Sequence, residues 1–186
     1  MQEAFAEAWI NRDDHKVYGR RLYPFCLQHL LFLVIDHNGA YFGKDPSRDD
    51  LIKAVLICSS KPEDLQAGRH TLDGLRKKHF IYAAMYRNHD AELAKWRSYL
   101  ADYDSKPEFW EAKASSEGLR APSILSLATY LEMKTNMTES EIMNAPIGKM
   151  FWKSAAITEL EGGSSSQIVT DEEAEMIKVM EDKSNG

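Results

Sequence analysis

The last third of this chain is punctuated for helix more strongly than for anything else. After Ala121-Pro122, apolar residues fall at Ile124, Leu127, Ala128 and Leu131, the i, i+3, i+4, i+7 spacing of one helical face. Thr138 and Glu141 form T-x-x-E, a capping box that satisfies two orphan backbone donors and predicts a helix of one or two turns ending at Ala145. Pro146 opens the next helix, which carries Ile147, Met150, Phe151, Trp152, Ile157 and Leu160 almost all round. A helix apolar on most of its circumference is either buried on several sides or meets a partner. Ile147, Met150, Phe151 and Trp152 are therefore candidate partner-binding residues, with intramolecular core as the competing assignment.

The earlier chain also reads as helix. Gln2–Asn11 is a short amphipathic stretch with Phe5 and Trp9 four apart. Pro24 opens an apolar segment to Ile35; its composition would suit a buried strand, but its length and leading proline favour a core helix stopped near Gly39. Ser47 and Asp50 are placed to cap a helix running to Cys58, and Pro62–Gly68 reads as a connecting loop. A single long helix is expected over about 72–104. Its stripe is Tyr82, Tyr86, His89, Leu93, Trp96, Leu100 and Tyr103, at a period near 3.5. Pro107 begins a short segment holding Phe109 and Trp110. The expected fold class is all-α, a single multi-helix bundle-like domain over residues 1–161. A Gly/Ser linker and a flexible acidic C-terminal tail follow over 162–186, where Thr170 and Glu173 predict one more short helix.

Charge separates these two parts. From Glu159 onward eight acids face two bases, a net of −6 that equals the net charge of the whole chain, so the body balances at 21 of each. A neutral body with an acidic tail argues against a nucleic-acid partner, because phosphate binding needs concentrated Lys and Arg. The clusters Arg20-Arg21 and Arg76-Lys77-Lys78 are short and suit solvated helix ends. The longest apolar run free of tyrosine, Leu30–Ile35, is six residues, far below a membrane span. With an acidic start that does not read as a signal peptide, the expected compartment is the cytoplasm. Cys26 and Cys58 sit in apolar segments and suit buried, reduced thiols.

No catalytic residues emerge. The six histidines show no H-x-x-x-H or H-E-x-x-H, and Cys26 with His29, one turn apart, has no second pair to complete a zinc site. No metal or cofactor is expected. Asp13-Asp14, Asp49-Asp50 and Glu172-Glu173 each adjoin a helix start, where acids complement the dipole. G-x-S-x-G, a P-loop and G-x-G-x-x-G are all missing from the sequence. Thr138–Ala156 has the outline of a helix-turn-helix, yet its second helix offers only Lys149 and Lys153 to phosphates. His89 falls on the apolar stripe, as a satisfied core histidine would.

Three phrases resemble the tail assembly chaperones of tailed bacteriophages: Y-G-R-R-L-Y-P-F-C-L-Q-H-L-L-F-L from Tyr18, P-S-I-L-S-L-A-T-Y-L from Pro122, and M-T-E-S-E-I-M-N-A-P-I-G-K-M-F-W-K-S-A-A-I-T-E-L-E-G from Met137. The resemblance covers residues 18–54 and 121–162. It implies a helical, acidic, non-enzymatic protein that coats the tape measure protein and recruits tail tube subunits, then leaves before the virion is complete. It places the partner surface on the helix bearing Ile147, Phe151 and Trp152, and leaves room for a homo-oligomer. Two alternatives stand beside it: a structural virion or neck protein, and a helix-turn-helix DNA-binding regulator.

Overall fold

The computed structural model describes residues 14–43, 45–67, 74–103 and 122–161. Among them the chain is all-α, 72% helical, with nine helices and one small hairpin. The amphipathic stretch at 2–11, the segment from Pro107 and the acidic tail lie outside the described residues.

The hairpin, β1 (Lys16–Val17) and β2 (Arg20–Arg21), was not foreshadowed by the helical periodicity. Its two-residue turn puts Tyr18 at φ 52° and Gly19 at φ 79°, the paired left-handed geometry that matches strand twist. Tyr18 has a Cβ and resists that region, so something must hold it. Glu92 does so from below: its buried carboxylate accepts the Tyr18 backbone N–H.

The core is built around α1 (Leu27–Ile35), with Leu27 and Leu33 almost wholly enclosed. Pro24 is not its first residue; extended backbone continues to Cys26. The left-handed stop also differs from expectation, falling on His37 at φ 48° rather than on Gly39. Gly39 instead starts α2 (Gly39–Phe42), capped by the Asn38 side chain. Packed around α1 are α3 (Arg48–Cys58), α4 (Pro62–Gln66) and, from the far end of the sequence, α8 (Glu139–Asn144). The expected loop at 62–68 is thus largely a short helix: Pro62 sits at its first position, where no N–H is needed, and Leu65 is buried. The Ser47–Asp50 capping box of α3 forms as its sequence predicts.

The long helix expected over 72–104 is two helices, α5 (Gly74–Met85) and α6 (His89–Tyr103). The Asn88 side chain accepts the Ala91 N–H and begins α6 afresh. Arg48 reaches across from α3 and donates to the carbonyls of Ala84 and Arg87 at 2.9 and 2.7 Å, bracing the end of α5 and the turn that follows it. Past the break the predicted stripe holds: Trp96 and Tyr103 are buried, and Leu93 and Leu100 pack against the core. Before it, Tyr82 and Tyr86 point outward.

The C-terminal part comprises α7 (Ser123–Lys134), which packs on both α8 and α9 (Ile147–Leu160). Ala128 and Leu131 are buried and Ile124 and Leu127 half-buried, as the spacing predicts, and the Thr138–Glu141 capping box is complete.

Candidate functional site

The four residues singled out on α9 are fixed by how that helix starts. Cys26 and Pro146 form an isolated antiparallel bridge, and the Ile147 N–H donates to the Phe25 carbonyl at 2.8 Å. This pins the first turn of α9 to the entry of α1. Ile147, Met150 and Trp152 are consequently buried in the chain's own fold, and Phe151 is half-buried against the core. The helix is apolar on several sides because it is enclosed on several sides. In this arrangement only Phe151 among the four keeps appreciable surface.

The helix-turn-helix outline meets the same obstacle. Lys149 and Lys153 are half-buried, and Lys153 Nζ lies 3.1 Å from Met137 Sδ. The fully exposed positions of α9, Ala156, Glu159 and Leu160, carry an acid and no base. That face is wrong in sign for a phosphate backbone.

Outward apolar side chains occur instead on two other helices. Along α5 and the residue just past its end, Leu75, Tyr82 and Tyr86 follow i, i+7, i+11 on the face opposite buried Phe80 and Ala84, with Met85 beside them. Tyr86 donates to the Tyr82 hydroxyl at 2.9 Å, and the two rings meet edge to face. On α7, Leu125 and Met133 flank Thr129 on the outer face. Periodicity could not separate these from core positions, because an outer apolar row keeps helical spacing too.

The titratable groups that looked like chemistry form a neutral, enclosed network. Cys26 Sγ lies 3.3 Å from His29 Nδ1, and His29 Nε2 lies 3.0 Å from the Ser60 carbonyl. A carbonyl only accepts, so Nε2 carries the proton and Nδ1 accepts from the thiol. Burial pushes the Cys26 thiol up to about 12 and the His29 imidazole down to about 4. Both are fully enclosed, and a protonated thiol is a poor nucleophile and metal ligand. His89 is satisfied likewise, with Nε2 3.1 Å from the Pro46 carbonyl. His15 Nε2 stands 2.8 Å from Asp102 at the rim of an open hollow with Lys16, Lys95 and Ser98. That contact is close in distance but lacks hydrogen-bond geometry, which an oriented acid–base pair also requires.

Among the described residues no group of three or more His, Cys, Asp or Glu side chains could hold a metal ion, and no helix is long and apolar enough to cross a membrane. No family model, curated protein or solved structure matches the chain.

Proposed function

We propose that this chain is a non-enzymatic chaperone or scaffold of bacteriophage tail assembly, holding tape measure or tail tube subunits in the host cytoplasm. The observation that carries the reading is the coincidence of tail-chaperone-like phrases over 18–54 and 121–162 with a helical body that turns apolar side chains outward on α5 and α7. A tape measure is itself a long amphipathic helix, and a helix face docks on an apolar helical surface through side chains at i, i+3, i+4 and i+7. The outward tyrosines suit such a surface, since an aromatic ring offers large contact area with few rotamers to immobilise. The burial of Ile147, Met150 and Trp152 moves the proposed contact from α9 to these outer rows, with Phe151 at most contributing an edge.

The test is affinity capture of the tagged full chain from cells producing the phage, with partners identified by mass spectrometry. Tape measure or tube protein should be recovered. It should be lost with Tyr82→Glu/Tyr86→Glu or Leu125→Glu/Met133→Glu, pairs whose exposure spares the fold. Recovery of duplex DNA alone would favour the regulator, presence in purified particles the virion or neck component, and either outcome overturns the chaperone reading.

A further inference from the structure

Two basic stretches that are 55 residues apart in sequence meet across one groove. Arg20 on β2 and Arg76 and His79 on α5 border an open hollow of about 500 Å³ whose remaining wall is Leu75, Phe80 and Ala83. The Arg20 guanidinium sits over the Phe80 ring at 5.7 Å and is braced by the Ser59 hydroxyl at 3.1 Å, so the charge is held in place over an apolar floor. Arg76 and His79 are exposed, and neither makes an ion pair among the described residues. The groove is basic at its rim and apolar inside.

We propose that the occupant of this groove is the chain's own acidic segment, Gln167–Gly186. Charge complementarity selects it. The segment holds six acids against two bases, a net of −4, while the remainder of the chain is close to neutral. Its pattern matches as well: Thr170 and Glu173 form a helix-start signature, and Ala174, Ile177 and Met180 share one side between the acids. Docked there, the segment would bring those three side chains to Leu75 and Ala83, and the carboxylates of Glu173 and Glu181 to Arg76 and Arg20. The outer row of α7 is a poorer host, because Glu132 lies on it and Lys134 is already paired with Glu161. Reach is sufficient: the nine residues from Glu161 to Thr170 span about 30 Å when extended, and a body of this size has a radius of gyration of about 15 Å. This inference does not rest on the tail-assembly reading, although Leu75 belongs to both surfaces.

A nitroxide attached at Ser184→Cys in the full chain tests it, since Cys26 and Cys58 are enclosed and escape labelling. Amide signals of Leu75–Ala83 should lose intensity selectively. They should recover in about 0.5 M salt, where screening shortens to ~4 Å, and with Arg20→Glu/Arg76→Glu. Broadening spread evenly over the surface, or confined to α7, would overturn the assignment. Mixing spin-labelled chains with separate isotope-labelled ones should leave the signals sharp. Broadening there would place the tail of a second copy in the groove instead.

Discussion

His29 shows how far one position can be read before its neighbours are known. Its one-turn spacing from Cys26 is visible in the sequence, and metal ligation, packing and hydrogen bonding all use that spacing. The deciding partner, the Ser60 carbonyl, comes from 31 residues away and could not be located from periodicity. The neutral network has a consequence for pH. In the unfolded chain the imidazole binds a proton near pH 6.5, whereas in the fold burial delays protonation to about 4. Between those values the unfolded state holds more protons, so stability falls as pH drops through that window. The loss from this group approaches about 3 kcal/mol by pH 4. Glu92 adds to it in the same direction: burial alone would raise its carboxyl, but hydrogen bonds from Lys95 and the Tyr18 N–H hold it below the ordinary range. Its contribution is present above the unfolded pKa and disappears as pH falls through the lower, folded one. Denaturant titrations at pH 7, 5.5 and 4 should show a stepwise fall, and a His29→Gln variant should flatten the part between 6.5 and 4. An unchanged slope in that variant would remove His29 as the cause.

At the scale of elements, end signals were more legible than lengths. Both capping boxes formed where S-x-x-D and T-x-x-E stood, because a cap is a local bargain between neighbours in sequence. The break between α5 and α6 carried a signal of the same kind, Asn88 followed by Asp90 and Glu92, but the continuous apolar stripe across it dominated the reading. The end of α5 is also braced from a distance, by the Arg48 guanidinium on the carbonyls of Ala84 and Arg87, and no stretch of local sequence announces that. The α3 cap depends on a distant residue too. A Cβ built on Gly39 would lie 2.8 Å from Asp50 Oδ2, the oxygen that accepts from both the N–H and the hydroxyl of Ser47. Gly39→Ala should therefore displace that carboxylate and cost about 1 kcal/mol, close to the loss of an N-cap such as Ser47→Ala. The double variant should lose little more than either single change, measured by chemical denaturation. Additive losses would show that Gly39 acts elsewhere.

For the molecule as a whole, the all-α class was legible, since nearly every segment carried helical spacing, while the packing order was not. Nothing in the sequence indicated that α8 would lie against α1, or that Tyr99 and Trp96 of α6 would donate to the carbonyls of Tyr23 and Ala40. The same gap displaced the candidate surface: Ile147, Met150 and Trp152 were recognised as unusual for their apolar density, and it is the long-range bridge at Cys26 and Pro146 that turns them inward. That bridge also sets a schedule during synthesis. The most apolar helix of the body, α1, emerges early, but the segment that covers it begins over a hundred residues later. At translation speeds of about 5–20 residues per second, α1 waits roughly 5–20 s without its lid. Nascent chains arrested before Thr138 should stay bound to ribosome-associated holdases and remain protease-sensitive within Leu27–Ile35. Chains released after Glu161 should not. The protein is thus expected to spend its first seconds as a client of the cell's folding machinery.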